Sequence, residues 1–168
     1  SLSKLGELLV DNKLIKGLSD IQAIGIRVVA PSTYFQQHRY LDAEALEHLR
    51  KQEHIAPLHV SATLQEIVQL EKLLPRVRMF AISDSAFHAT MPDYAQHYGI
   101  PLNDAKKFGI MRYGYHGLSV ESVVQTLASY HSVPGKLVVC HLGGGVSVSA
   151  VLDGKSIDTT MGYSPLEG

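Results

Sequence analysis

The side chains best suited to chemistry in this sequence are an arginine inside an Ile/Val run, an aspartate closing a second apolar run, a histidine between glycines, and three consecutive glycines. Arg27 stands within Ile24-Gly25-Ile26-Arg27-Val28-Val29. A guanidinium buried in such a strand needs an anionic partner, either a structural carboxylate or a substrate anion. Asp84 follows Met79-Phe80-Ala81-Ile82-Ser83; a carboxylate at a strand's C-terminal end can hold Mg²⁺ or a metal-bound water, or it can cap a turn. His116 lies in Arg112-Tyr113-Gly114-Tyr115-His116-Gly117, where it can donate a hydrogen bond to a transferring anionic group or stand as a loop histidine. His59, after Pro57-Leu58, and His141, after Cys140, carry the same two readings. Gly143-Gly144-Gly145 joins two β-rich runs; its backbone can take positive φ and approach a phosphate through N–H groups, or simply close a tight hairpin.

Other chemistries fall away. No Gly-Lys-Ser/Thr follows the glycines, so they are not a Walker A loop, and no helix follows them, so they are not a dinucleotide fingerprint. No set of His, Cys and carboxylates has zinc spacing, and no serine sits in a Gly-x-Ser-x-Gly elbow.

Periodicity supplies the elements that must position these groups. Residues 3–16 read as an amphipathic helix stopped by Gly17, and residues 21–29 as a strand buried on both faces, the parallel-sheet signature. A helix is expected over 42–53, then a connector over 56–59. Ser61 is the expected N-cap of a helix running to Leu74 and halted by Pro75. Residues 77–83 read as a second buried strand, which places Asp84 where ligands gather in open α/β sheets. Residues 86–113 are expected to form an ordered loop with short helical turns, and 119–130 a helix. The last third holds three β-rich runs, 136–142, 146–152 and 155–160, with the tight-turn pair Asp153-Gly154 between the last two. That pattern predicts an antiparallel meander appended to α/β units.

Composition bounds the rest. With 168 residues, 45% of them hydrophobic, the chain is one domain or part of one and can bury a sizeable core. A formal net charge of −1 and no Lys/Arg cluster argue against nucleic acid as a partner. No apolar run reaches the ~18 residues of a membrane span, and no signal segment opens the chain, so the expectation is a cytoplasmic location. The single cysteine, Cys140, fits a reducing compartment. Charged residues are 18%, below the ~25% of typical globular chains, which predicts exposed apolar surface where a further piece of protein docks. The chain opens on Ser1 and stops at Gly168, and the expectation is an excised fragment.

Taken together, these segments resemble the acetate kinase (acetate/propionate kinase) family. Asp84-Ser-Ala-Phe-His-Ala-Thr-Met-Pro92 is similar to that family's Asp-Thr-Ala-Phe-His-x-Thr-Met-Pro, and Arg112-Tyr-Gly-Tyr-His-Gly117 to its Arg-Tyr-Gly-Phe-His-Gly. His141-Leu-Gly-Gly-Gly145 resembles His-Leu-Gly-Asn-Gly, and Asp158-Thr-Thr-Met-Gly-Tyr-Ser-Pro-Leu-Glu-Gly168 resembles Asp-Thr-Ser-Met-Gly-Phe-Thr-Pro-Leu-Glu-Gly. Gly25-Ile-Arg-Val-Val29 and Ala56-Pro-Leu-His59 are weaker matches in the same order. The last of the four blocks disfavours a sugar kinase or another actin-like ATPase.

The resemblance implies an α/β, actin-like ATPase (ribonuclease H-like) fold with a mixed sheet, incomplete here. It also implies ATP- and Mg²⁺-dependent phosphorylation of a small-molecule carboxylate, acetate or propionate, to an acyl phosphate. On it, residues 1–168 are the central part of such a chain: most of the N-terminal acyl-binding domain and the start of the nucleotide-phosphate hairpin. The C-terminal domain of the parent chain, which binds adenosine and carries most of a homodimer interface, is missing. Carried over by position, Arg27 binds the carboxylate or phosphoryl group, His116 hydrogen-bonds the phosphoryl group in the transition state, and Asp84 helps hold Mg²⁺. Val29, Leu58, Tyr115 and Pro165 line the acyl pocket, with His59 near it. His141 and Gly143, Gly144 and Gly145 approach the nucleotide phosphates.

The chain departs from the family pattern at several polar or glycine positions, and at Tyr115, while keeping the apolar frame. The family's histidine before the strand arginine is Ile26, and its His-Gly-Gly after it is Ala30-Pro31-Ser32. The asparagine of the phosphate turn is Gly144, the second histidine of His-Gly-Thr-Ser-His is Val120, and Tyr115 stands for Phe and adds a hydroxyl to the acyl pocket. These changes motivate an alternative: a non-catalytic relative that binds nucleotide or acyl phosphate, or serves in assembly. The 168-residue polypeptide by itself is expected not to turn over.

Overall fold

The computed structural model describes residues 2–130 and 132–168. The chain divides into two compact units, one made of residues up to Val28 with Arg39–Ile82, the other of Val29–His38 with Ser83–Gly168.

The first unit sets helices around a three-stranded sheet. Helix α1, Leu2–Asp11, ends five residues before the expected stop. Lys13 takes a left-handed backbone at φ +56°, and the Asn12 side chain caps the Leu8 carbonyl (2.8 Å), so the chain turns well ahead of Gly17. Strand β1, Ala23–Val28, is followed by β2, Arg39–Tyr40, and by helix α2, Ala43–Lys51. Asp42 begins α2 by accepting the Ala45 N–H (2.9 Å), the expected use of a carboxylate at an N-cap.

Helix α3 spans Pro57–Leu73, so the expected connector over 56–59 is its first turn. Proline lacks the N–H that a first helical residue would leave unpaired, and that starts the helix four residues before Ser61. Ser61 donates instead to Glu53 Oε1 (2.9 Å). Strand β3, Arg78–Ser83, is the middle strand of the order β1-β3-β2 and runs antiparallel to β2, with Arg39 opposite Ala81 and Tyr40 opposite Phe80.

Strand β1 corrects one expectation. Ile26 and Val28 are buried, while Arg27 between them is exposed. The strand is covered on one face over this stretch rather than on both, so the premise of a buried guanidinium fails. Period-2 geometry explains it: successive side chains leave opposite faces of the pleat.

The second unit carries the expected short turns and the meander. A 3-10 turn at Ala86–Thr90, helix α4 at Asp93–Gln96 and helix α5 at Leu102–Phe108 occupy the stretch read as an ordered loop. Helix α6, Gly117–Tyr130, packs on the antiparallel sheet β4-β5-β6, whose strands are Lys136–Leu142, Val146–Leu152 and Lys155–Thr159. Asp153 and Gly154 both have positive φ, +48° and +78°, as a two-residue hairpin of matching twist requires. Val120, Val139 and Val151 form the core between α6 and the sheet, with Phe87, Val124 and Leu137 against them.

Strand β5 inverts the usual alternation. Ser147 and Ser149 face inward and are fully buried, while Val146 and Val148 face out. Ser149 is satisfied by Thr159 Oγ1 (2.9 Å) on β6. The outward face of the sheet is apolar: Val138 is 64% and Leu142 77% exposed. This is the kind of exposed apolar surface the low charge fraction predicts.

Candidate functional site

Asp84 and His116 meet at the start of α6. The backbone leaves β3 into a turn that buries Asp84, and the Asp84 carbonyl accepts the Gly117 N–H (2.8 Å). Its carboxylate oxygen Oδ2 accepts the His116 N–H (2.8 Å). Negative charge at a helix N-terminus is favourable, because unpaired N–H groups and the macrodipole both meet it there. Gly117 is required for this approach, since a Cβ would collide with the Asp84 carbonyl oxygen. Of the two sequence readings of Asp84, the structure shows the cap.

His116 itself sits in the left-handed region, φ +60°, a conformation that costs a non-glycine residue on the order of 1 kcal/mol. Its ring is tied by Nδ1 to the Ser147 hydroxyl (3.0 Å) and lies flat on the ring of His141, with centroids 3.9 Å apart and planes 24° apart. His141 is tied in the same way, Nδ1 to the Ser119 hydroxyl (2.9 Å). Both rings therefore have the Nδ1 edge anchored by a serine.

The glycine turn lies against the stacked pair. A Cβ on Gly145 would stand 3.0 Å from His116 Cε1 and 3.1 Å from its Nε2, and one on Gly143 would stand 3.0 Å from His141 Nε2. A Cβ on Gly144 would meet nothing within 4 Å. None of the three has positive φ, so their use here is clearance rather than unusual dihedrals. The outer two make room for the imidazoles, and the central one presents open backbone. Gly143 N–H closes the turn on the Gly145 carbonyl (3.1 Å).

Beside the pair is an apolar cluster of Val29, Tyr113, Tyr115 and Met161, with Met111 and Tyr163 packed against it. The Tyr115 hydroxyl is not presented to this cluster as a free polar group: it donates to the Tyr163 carbonyl (2.7 Å). Burial raises the Tyr115 phenol well above its ordinary range and pushes Tyr113 up to about 12. The loop is held to the chain's last segment by Tyr113 N–H and Gly114 N–H, both donating to the Gly162 carbonyl. Pro165, half-buried, opens a 3-10 turn closed by a capping box between Ser164 and Glu167. Tyr98 locks that turn: its hydroxyl donates to Glu167 Oε2 (2.7 Å) and accepts the Tyr163 N–H (2.7 Å).

The structure thus brings together Val29, Asp84, Tyr115, His116, His141, Gly143, Gly144, Gly145 and Pro165 in the second unit. Arg27, Leu58 and His59 belong to the first unit. Arg27 is on the exposed side of β1, and Leu58 (89% exposed) and His59 lie in the first turn of α3. The serines that orient both imidazoles escaped the sequence reading. Ser147 could have been found from the Val-Ser-Val-Ser alternation of β5, which marks one polar face; Ser119 has no such signal.

Mg²⁺ is usually held by one or two carboxylates completed by phosphate and water oxygens. Among the described residues no three His, Cys, Asp or Glu side chains converge as a metal set; Asp84, buried and accepting the His116 N–H through Oδ2, is the carboxylate at the start of α6. The open backbone at Gly144 fits the approach of a phosphate.

The model of the acetokinase family matches residues 1–168. The acetate kinase of Caldanaerobacter subterraneus subsp. tengcongensis is 44% identical over 167 residues, covering 96% of this chain and 42% of that protein. The acetate kinase of Bacteroides thetaiotaomicron is 41% identical over 157 residues, covering 92% of this chain and 39% of that protein. Among solved structures, a propionate kinase from Francisella tularensis superposes with a TM-score of 0.88 at 39% identity, over 99% of this chain and 43% of that one. The acetate kinase of Porphyromonas gingivalis superposes at 0.86 and 31% identity, over 99% and 43%. The chain spans about two fifths of the length of the curated relatives it matches. Its architecture is the α/β, actin-like ATPase fold with a mixed sheet and a second sheet, and the chain belongs to the acetokinase family.

Proposed function

We propose that the longer protein to which this chain corresponds transfers the γ-phosphoryl group of ATP to a short-chain carboxylate, acetate or propionate, giving ADP and an acyl phosphate. The observation that carries the reading is the oriented imidazole of His116, stacked on His141 against an open glycine turn and next to a small apolar cluster. Such a transfer is catalysed mainly by positioning and charge neutralisation.

In this reading a carboxylate oxygen attacks phosphorus while the bond to the ADP oxygen breaks, with no proton consumed. Mg²⁺, when bound, neutralises charge on the phosphate oxygens. Asp84 would be the chain's carboxylate for it. His116 holds the transferring group by a hydrogen bond that strengthens as charge spreads over the phosphoryl oxygens. The turn of Gly143, Gly144 and Gly145, with His141, receives the nucleotide phosphates through the open backbone at Gly144 and the His141 ring. Val29, Tyr115 and Pro165 of the second unit bound the acyl group, and Arg27 keeps the carboxylate-binding role that the family resemblance implies. The remainder of the longer protein supplies the adenosine site and the homodimer contact, and the protein works in the cytoplasm.

The test is hydroxamate trapping of acyl phosphate from the full-length protein with ATP, Mg²⁺ and acetate, propionate or butyrate, run beside the 168-residue chain. Product from the full-length protein and none from the chain is the expected result. Binding of ATP by the full-length protein with no product from any acid would overturn the enzyme reading in favour of a non-catalytic relative. A fully active Arg27→Ala variant would remove Arg27 from its role.

A further inference from the structure

His88 has no part in the scheme above, yet it is fully buried and both of its ring nitrogens are engaged. Nε2 is 3.0 Å from the Tyr115 carbonyl oxygen and Nδ1 is 2.8 Å from the Ser156 hydroxyl. A carbonyl oxygen only accepts, so Nε2 carries the hydrogen and Nδ1 accepts from Ser156. Ser156 is itself steadied where Thr90 Oγ1 donates to its carbonyl (2.9 Å).

The Tyr115 carbonyl and the His116 N–H are the two ends of one peptide plane. Its oxygen is held by His88 Nε2 and its N–H by Asp84 Oδ2 (2.8 Å). Asp84 and His88, four residues apart in one turn, grip this plane from opposite sides. The next plane is held too, because its Gly117 N–H donates to the Asp84 carbonyl (2.8 Å), and with both planes held the φ of the residue between them, His116, is set at +60°. The loop lies directly on the His88 ring: Gly114, φ +73°, has no room for a side chain, since a Cβ would stand 2.7 Å from His88 Cγ.

We propose that His88 is a positioning residue for His116: its Nε2–H, by holding the Tyr115 carbonyl, sets the peptide plane that aims the His116 imidazole past Gly145. Burial keeps the ring neutral, lowering its pKa to about 4, so this tautomer persists over the physiological range. Asp84 and His116 are the titratable groups that face it, and neither removes the Nε2 hydrogen.

The kinetic part of the test rests on the reading of His116 given under the proposed function; the spectroscopic part does not. In the full-length protein His88→Asn places an amide at the Nδ1 position and loses the bond to Tyr115, whereas His88→Gln places an amide donor near the Nε2 position. The expected result is a fall in kcat of about thirtyfold or more for His88→Asn, with KM for carboxylate and ATP within about threefold, and at least a tenfold recovery in His88→Gln. Equal losses in both variants would overturn the proposal, because a purely structural histidine is not rescued by the geometry of one donor. If neither variant folds, histidine-selective ¹⁵N spectra of the unsubstituted protein decide. An Nε2–H tautomer for His88, unchanged from pH 5.5 to 8.5, supports the proposal, and an Nδ1–H tautomer or a titration within that range overturns it. If the unsubstituted protein phosphorylates no carboxylate, the kinase reading fails alone. The His116 ring resonances then give the answer, moved by His88→Asn and restored by His88→Gln if His88 positions it, and unmoved by both if it does not.

Discussion

A change of pH on the buried His88 tests the packing of the second unit. In the unfolded chain this ring titrates near the ordinary histidine value of 6.5; in the folded chain burial lowers it to about 4. Between those values the unfolded state binds the extra proton, so stability rises with pH through the window and is lost as pH falls from 6.5 towards 4. Above 6.5 the ring is neutral in both states and contributes no slope. Each pH unit of separation is worth about 1.4 kcal/mol, which makes the full separation worth roughly 3 kcal/mol, and at pH 5 about 2 kcal/mol of it is already lost. Urea unfolding followed by far-ultraviolet circular dichroism at pH 5 and pH 8 measures this, with His88→Gln as reference so that the other eight of the nine histidines cancel. For a urea slope near 2 kcal/mol per molar, the unsubstituted protein should lose about 1 M more midpoint than the variant on going to pH 5. Parallel pH dependence in the two proteins, within about 0.5 kcal/mol, would refute a neutral, sealed His88.

Three further outcomes follow from the geometry. Gly117→Ala should lower stability by about 1–3 kcal/mol, as overpacking does, because its Cβ would collide with the Asp84 carbonyl oxygen; an unchanged urea midpoint would contradict that contact. Gly145→Ala should lower kcat of the full-length protein about tenfold or more through contact with the His116 ring, and a full rate with unaltered circular dichroism would separate the turn from His116. Val138→Lys with Leu142→Lys, on the outward face of β4, should change stability by no more than about 0.5 kcal/mol. The pair should suppress self-association of the 168-residue chain in sedimentation velocity, and sedimentation identical to that of the unsubstituted chain would show that this face is not adhesive.

How much of this was legible in the sequence depended on whether a feature's cause is local. The Asp153-Gly154 turn was readable because two consecutive positive φ angles leave few residue choices, and α2 because its run of Ala, Leu and Glu favours a helix locally. The start of α3 was misplaced because two local signals competed: Ser61 is a good cap, but Pro57 is a good first residue, and the earlier one wins when the following turn can already form. Burial of Arg27 was misjudged because an Ile/Val run looks the same whether one or both of its faces are covered, and only the packed unit decides. The motifs around Asp84, His116 and the glycines marked residues that the second unit holds, but not what they touch.

What they touch is set across long stretches of chain. Asp84 caps an amide 32 residues away, Ser147 orients a ring 31 residues away, and His88 reaches a carbonyl 27 residues away. A contact of that span leaves no period and no spacing in the sequence, only a residue that is costly to bury. His88 and the inward serines of β5 are such residues: each gives up water to enter the interior, and each recovers the cost through hydrogen bonds, two for His88, whose partners belong to the site or to the strands beside it. Ser147 holds the His116 imidazole from the ring and His88 holds it from the backbone, before any ligand arrives. Rotating that ring then means breaking a part-buried hydrogen bond as well as crossing a rotamer barrier. A site arranged in this way orders little on binding, and for a transfer that depends chiefly on alignment, such pre-arrangement is the property the fold has to provide.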